Sequence, residues 1–181
     1  SKLINNLQKK IGFPLVVKPL NEGSSVNVFI CKKNNILKTL TKLNEYGEVL
    51  IEKYIPGREI QVAILENKVL GAIELRPTRK FYDYQAKYNP KAKTEHIIPV
   101  EISKNKYQEL TKIALKAHKI LNCKGVTRSD FRYYKNSFYL LETNTQPGMT
   151  SLSLVPEIAK FNNISFKSLI KKILIDASIN K

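Results

Sequence analysis

Four residues in the last third of the chain have types and spacings suited to phosphate and a hard cation: Arg128, Asp130, Glu142 and Asn144. Arg128 and Asp130 lie two apart within Gly125-Val-Thr-Arg128-Ser-Asp130-Phe-Arg132-Tyr-Tyr134. Glu142 and Asn144 lie two apart within Phe138-Tyr-Leu-Leu-Glu142-Thr-Asn144. Both runs read as strands, and side chains alternate faces along a strand, so each pair shares a face. Only Lys135-Asn136-Ser137 separates the runs, which reads as a three-residue hairpin loop. With that loop Tyr134 pairs with Phe138, Asp130 lies opposite Glu142, and Arg128 lies opposite Asn144. Opposed like charges are unfavourable in a sheet, and neighbouring carboxylates resist joint ionisation. A hard divalent cation removes that penalty, and Mg²⁺ takes oxygen ligands with substrate phosphates among them. Either carboxylate alone reads as a solvated sheet residue. The four together, followed by a Pro147-Gly148 turn that exposes backbone N–H groups, read as a metal–phosphate site.

Several elements must position these groups. Leu3 to Ile11 reads as a helix closed by Gly12. Phe13-Pro-Leu-Val-Val17-Lys18-Pro19 is a short buried strand with a lysine at its exit. The small polar turn Asn21-Glu22-Gly23-Ser24-Ser25-Val26 leads to a second strand near Val28 to Cys31. Backbone N–H groups and hydroxyls in such a turn can close over phosphates, but the spacing is not that of a P-loop, and taken alone the stretch reads first as an ordinary hairpin turn. Asn34 to Leu43 reads as a helix and Glu48 to Ile55 as a strand. Pro56-Gly57 turns into the strand Arg58 to Leu65, and Asn67-Lys68 turns into Val69 to Leu75. The strand exit with Glu52, Lys53 and Glu59 suits an adenosine: backbone at Lys53 to Ile55 for adenine, Glu59 for ribose hydroxyls. A charged surface turn fits it as well. Pro77 to Pro99 breaks the periodicity and carries Phe81-Tyr-Asp-Tyr-Gln-Ala-Lys87-Tyr88, which reads as a lid that excludes water.

Ser103 caps a helix to Leu121 whose buried stripe is Leu110, Ile113, Ala114, Ala117 and Leu121. Pro156 to Phe161 reads as helical. Ser165 caps the last helix, with Ile164 and Leu169 as a hydrophobic staple and Leu169, Ile170, Ile173 and Leu174 as its apolar face.

Composition bounds the class. The chain has 181 residues, 43% hydrophobic and 25% charged, which fits a globular protein with a substantial core. No apolar run is long enough to span a membrane, no signal peptide opens the chain, and a start at Ser1 fits an excised piece. Cys31 and Cys123 form no metal-spaced pair, in keeping with a reducing compartment. His96 and His118 stand alone, and His118 reads as a structural or surface residue of its helix. Net charge is +16, yet only five of the 31 basic residues are arginine and the lysines are scattered. A basic nucleic-acid-binding module would need stacking aromatics or a recognition helix, and neither stands out.

Taken together these motifs resemble the C-terminal portion of the D-alanine:D-alanine ligases, ATP-grasp enzymes of bacterial cell-wall synthesis. The resemblance runs nearly end to end. It rests on Phe13-Pro-Leu-Val-Val-Lys18-Pro, Glu22-Gly-Ser-Ser-Val26, Ile51-Glu-Lys-Tyr54, Gly57-Arg-Glu59, the Phe81 to Tyr88 run, Gly125 to Asp130, Leu141-Glu-Thr-Asn144, and Pro147-Gly-Met-Thr-Ser-Leu-Ser-Leu154.

The resemblance implies an α+β ATP-grasp fold of two lobes with nucleotide between them. A smaller lobe would span 1–56 and a larger one 57–181, with the lid at 77–99. Lys18 is expected on the ATP phosphates beneath Ser24, with Glu52, Lys53 and Ile55 on adenine and Glu59 on ribose. Lys87 would reach the terminal phosphate and Tyr88 would lock against Ser24. Asp130, Glu142 and Asn144 would bind two Mg²⁺, with Mn²⁺ as an alternative ion. Arg128 and the Gly148 N–H would stabilise an oxyanion, while Ser153 and Leu154 would receive the carboxylate of the second D-alanine.

The implied reaction joins two D-alanines through an acyl phosphate, in a cytoplasmic bacterial enzyme that is a homodimer at full length, with no membrane and no specific nucleic acid among its partners. A D-alanine:D-lactate ligase is the alternative within the family. Gln85 stands where an acidic residue is common and Asn27 where glycine is common. The family's N-terminal substrate domain and a further ATP-contacting lysine are expected before Ser1, so the 181 residues alone are not expected to make dipeptide efficiently.

Overall fold

The computed structural model describes residues 1–77 and 94–177. The chain divides into two compact units: Ser1–Ile55 in the first, and Pro56–Arg76 with the chain from Thr94 onward in the second.

The first unit opens with helix α1 (Lys2–Lys10), capped by the Ser1 hydroxyl, which accepts from the Ile4 N–H at 3.5 Å. Strands β1 (Leu15–Pro19), β2 (Phe29–Cys31) and β3 (Val49–Lys53) form an antiparallel sheet in the order β2-β1-β3, and helix α2 (Ile36–Lys42) lies between β2 and β3 in sequence. Leu15 and Val17 are fully buried and pack with Leu7, Cys31, Ile36 and Leu43. Burying such a side chain is worth about 1.5–3 kcal/mol, so the register of β1 is held strongly. Strict alternation then places Val16 and Lys18 on the opposite face.

The second unit is a five-stranded sheet in the order β6-β5-β4-β7-β8. Its strands are β4 (Arg58–Leu65), β5 (Lys68–Pro77), β6 (Thr94–Ile97), β7 (Val126–Tyr134) and β8 (Ser137–Asn144). On one face Ile60, Val62, Ile64, Ala72 and Phe131 bury against Leu110 and Ala114 of helix α3 (Lys104–Ile120). Ser103 caps α3, its hydroxyl accepting from the Lys106 N–H at 3.4 Å. On the other face helix α4 (Leu154–Phe161) sits so close that a Cβ on Gly71 would lie 2.7 Å from Ile158 Cγ2. The final helix, α5 (Phe166–Asp176), buries Leu169 and is capped by Ser165.

Five local expectations are corrected. The β7–β8 loop has two residues rather than three: Lys135 and Asn136 both have positive φ (47° and 63°), and Tyr134 pairs with Ser137. The β4–β5 turn is Glu66-Asn67, again both at positive φ, so Lys68 begins β5. Two-residue turns of this hand match the twist of the paired strands. Strand β6 lies inside the 77–99 stretch, which is read from the sequence wholly as a lid. It is only four residues long and its Glu95 and His96 are exposed, so no apolar alternation marks it. Helix α4 begins at Leu154, two residues ahead of Pro156, because proline is tolerated in a first helical turn. Finally Leu121 and Leu174, counted among apolar faces, are 57% and 67% exposed: Leu121 is the C-cap beyond α3, and Leu174, five residues on from the buried Leu169, is turned roughly 140° away from it at 3.6 residues per turn.

Candidate functional site

In the first unit Lys18 and Glu52 project from neighbouring strands, where Val16 pairs with Glu52 and Lys18 with Leu50. Their side chains meet, Lys18 Nζ to Glu52 Oε1 at 3.0 Å. Lys53 ends β3 with its side chain exposed, and Ile55 is half-buried just past the strand. The Tyr54 N–H still donates to the Pro14 carbonyl at 3.2 Å, which carries the pairing one residue beyond β3.

The Gly23 to Asn27 turn is held in an unusual shape. Ser24, Ser25 and Asn27 all have left-handed φ, 53°, 60° and 53°. That conformation costs a side-chain-bearing residue about 1–2 kcal/mol, least for asparagine. It explains why Asn27 stands where glycine is the common residue. Its Nδ2 donates to Tyr46 Oη at 2.6 Å, which tethers the turn.

In the second unit the sheet face away from α3 gathers the other candidates. Alternation from the buried Ile60, Val62 and Phe131 puts Glu59 and Gln61 of β4, Arg128, Asp130 and Arg132 of β7, and Glu142 and Asn144 of β8 on this face. Asp130 pairs directly with Glu142, and Arg128 with Asn144. The Arg128 guanidinium donates to Asp130 through two bonds, Nε to Oδ1 at 2.7 Å and Nη2 to Oδ2 at 2.9 Å. Such forks fix both groups in one plane. Asn144 Nδ2 donates to Glu142 Oε1 at 3.3 Å. Each carboxylate is thus engaged by the residue two places along its own strand. Two carboxylates and an amide oxygen are the donor type of a hard divalent cation. Among the described residues no group of three or more His, Cys, Asp or Glu is placed to hold a metal ion, and this set needs its asparagine as the third oxygen donor.

At the chain's turn into α4, Gly148 and Ser153 come together: a Cβ on Gly148 would lie 2.9 Å from Ser153 Oγ. The Ser153 hydroxyl accepts from the Thr150 N–H at 2.9 Å and shares a second hydrogen bond with Thr150 Oγ1, also 2.9 Å. It therefore closes its own turn and makes no capping bond to α4. Leu154 opens that helix with its side chain buried. Lys87 and Tyr88, expected in a lid, lie outside the described residues.

Three features of this unit went unread in the sequence. Arg132 pairs with Glu59 at 3.1 Å, with side chains only 13% and 12% exposed. Gln61, 1% exposed and paired with Asp130 in the ladder, has an Oε1 without a hydrogen-bond partner. Glu74, fully buried on the α3 side, is gripped by Arg58 (Nε to Oε1, 2.8 Å) and Arg76 (Nε to Oε1, 3.1 Å). Burial pushes the Glu74 carboxyl up, but the two guanidiniums outweigh that and hold it below its usual range. The period-two spacing of Glu59 with Gln61, and of Asp130 with Arg132, was the signal that could have found the first two.

Comparison with known proteins gives a consistent result. A family model described as the D-ala D-ala ligase C-terminus matches residues 1–175. The chain is 65% identical over 179 residues to a D-alanine–D-alanine ligase of Pelagibacter ubique (strain HTCC1062), covering 99% of this chain and 59% of that one. It superposes on the crystal structure of a D-alanine–D-alanine ligase from Bacillus anthracis with a TM-score of 0.82 at 37% identity, covering 95% of this chain and 56% of that chain. For the Bacillus anthracis ligase complexed with ATP the TM-score is 0.77 at 31% identity, with 93% and 53% covered. The chain thus spans well under two thirds of the length of these relatives.

Proposed function

Because the chain belongs to the D-alanine–D-alanine ligase C-terminal family and has its α+β ATP-grasp fold, we propose that it forms the nucleotide-binding part of a cytoplasmic bacterial ligase. That ligase joins two D-alanines at the expense of ATP, and its full-length form is a homodimer. The observation that carries this reading is the pairing of Asp130 with Glu142 and of Arg128 with Asn144 on one sheet face.

In this reading Lys18 contacts the ATP phosphates and Ser24 lies in the turn above them. The strained backbone at Ser24 and Ser25 supports a ligand role, since such strain collects at functional sites. Glu52, with the backbone of Lys53 and Ile55, holds adenine, and Glu59 accepts from the ribose hydroxyls. Lys87 and Tyr88, outside the described residues, keep the roles that the family resemblance implies for them. Asp130, Glu142 and Asn144 would hold two Mg²⁺ ions, which would supply charge neutralisation for the transferring phosphoryl group. Mn²⁺ would fit the same oxygen donors.

The first step transfers the terminal phosphoryl group to a carboxylate oxygen of one D-alanine and releases ADP. The amine of the second D-alanine then attacks the carbonyl carbon of the acyl phosphate. As the tetrahedral oxyanion forms, the Arg128 guanidinium and the Gly148 N–H stabilise it. Collapse expels phosphate, the amine loses its proton, and the peptide bond is made. Ser153 and the N-terminus of α4 at Leu154 hold the acceptor's carboxylate, where the helix dipole favours an anion. The chain's task is chiefly positioning and charge neutralisation.

The test is a chimera in which the N-terminal part of the Pelagibacter ubique relative is joined to this chain. With ATP, Mg²⁺ and D-alanine it should release phosphate and D-alanyl-D-alanine in equal amounts. A folded chimera that makes no dipeptide, or that couples D-lactate in preference to D-alanine, would contradict the reading.

A further inference from the structure

Arginine is used sparingly in this lysine-rich chain, at five of 31 basic positions. Arg58, Arg76, Arg128 and Arg132 all meet carboxylates. A planar fork of fixed donors does what a lysine point charge cannot, so each position marks a carboxylate whose orientation matters. Three of these pairings explain themselves: Arg58 and Arg76 neutralise the buried Glu74, and Arg128 faces the proposed phosphate site. Arg132 is left over.

Arg132 stands opposite Glu59 in the β4–β7 ladder. Its Nη2 lies 3.1 Å from Glu59 Oε2, and its Nη1 donates to the Gly57 carbonyl at 3.2 Å. The two bonds tie one guanidinium to the start of β4 at both ends of a three-residue stretch. Gly57 itself is fixed: φ is +106°, and a Cβ there would run into the Tyr133 carbonyl. The anchor is thus a backbone position with no freedom to drift. Both charged side chains are largely removed from water, unlike a surface ion pair, whose geometry is loose and worth little.

We propose that Arg132 is a positioning residue for nucleotide recognition: it holds the Glu59 carboxylate in one orientation, so that it accepts from ribose hydroxyls. This rests on the ribose role given to Glu59 above. An ionised carboxylate is acceptor-only, which suits two hydroxyl donors and disfavours a sugar lacking them.

The experiment compares binding of ATP and of 2′,3′-dideoxy-ATP to the chain in the presence of Mg²⁺. The wild type should bind the dideoxy nucleotide at least about tenfold more weakly, the scale expected for hydrogen bonds to a charged group. Arg132→Met should bring the ratio to within about threefold by weakening ATP while leaving dideoxy-ATP unchanged, which a merely structural role would not do. Arg132→Lys keeps the charge if the methionine variant does not fold, and it should lose part of the ratio because a lysine cannot serve Glu59 and Gly57 together. A wild type that discriminates, beside Arg132 variants with the full wild-type ratio, would overturn the role of Arg132 alone. A wild type that binds ATP and dideoxy-ATP equally would remove the ribose reading of Glu59 and this proposal with it.

Discussion

Asp130 and Glu142 stand directly opposite each other because Leu141 is an extra residue in β8. From the turn, Tyr133 pairs with Phe138 and Phe131 with Leu140, so a regular ladder would set Leu141 against Asp130. Instead the register shifts at that point and Glu142 takes the place. Without the bulge Glu142 would face Ser129 and lie on the wrong side of the sheet. A local irregularity thus places two carboxylates together, with Arg128 and Asn144 beside them.

Deletions test this directly. Removing Leu141 leaves Leu140 against Phe131 and Glu142 against Asp130, so ATP affinity in Mg²⁺ should stay within about threefold of wild type. Removing Thr143 moves Asn144 opposite Ser129 and onto the α3 face. That variant should lose roughly tenfold or more, the scale seen when a metal site is disturbed. Calorimetric titration of both with ATP and Mg²⁺ separates register from bulge.

The buried Glu74 carries a stability prediction. Its folded-state carboxyl is held below the ordinary value, so its contribution is present above the unfolded-state pKa and is lost as pH falls through the folded one. Glu74→Gln should therefore flatten the acid side of the stability profile. Breaking a buried pair costs roughly 3–5 kcal/mol. The loss here should lie near the lower end, because the Arg58 and Arg76 side chains are 32% and 42% exposed and water can serve them. Urea unfolding of wild type and variant between pH 3 and pH 7 is the measurement.

His118 makes the opposite demand on protons from a solvated histidine. It is fully buried, its Nδ1 lies 2.8 Å from Thr127 Oγ1, and its Nε2 has no hydrogen-bond partner. Burial pushes its pKa down, with Asp176 acting against the shift and Lys119 with it. The unfolded chain thus takes up this proton first. Stability should be full above the unfolded value of about 6.5 and erode as pH falls below it. In His118→Gln, which keeps a polar partner for Thr127, the slope of stability between pH 7 and pH 5 should be smaller. An unchanged slope would contradict the assignment.

The turn at Ser24 to Asn27 gives a conformational prediction. Asn27→Gly keeps the left-handed backbone but loses the bond to Tyr46, whereas Asn27→Val strains the backbone as well. The valine variant should be the less stable by about 1–2 kcal/mol. Thermal melts of the two variants side by side would show it.

Much of this was legible in residue pattern. The apolar alternation of Leu15 and Val17, the unbroken run from Ile60 to Leu65, and the serine caps at Ser103 and Ser165 each mark an element by its own chemistry. The opposition of Asp130 and Glu142 was also legible, but through two offsetting errors. A three-residue loop and no bulge gives the same pairing as a two-residue loop and one bulge. Lys135-Asn136 lacks the glycine that advertises a tight hairpin turn, and no glycine in Leu140-Leu141-Glu142 marks the bulge. Strand β6 was hidden because its exposed residues do not alternate. Of the two readings open for His118, the structural one holds, while the buried Gln61 was hidden because a polar residue in a core is specified by its partners across the sheet, not by its neighbours in sequence.

Everything proposed for this chain turns on Asp130, Glu142 and Asn144 forming a cation site that serves ATP. The most direct measurement is calorimetric titration of ATP into the chain with Mg²⁺ and with the ion chelated, repeated on Glu142→Ala. Binding should require Mg²⁺ and be lost in the variant while the variant remains folded. ATP binding that is indifferent to Mg²⁺, or that survives in Glu142→Ala unchanged, would contradict it.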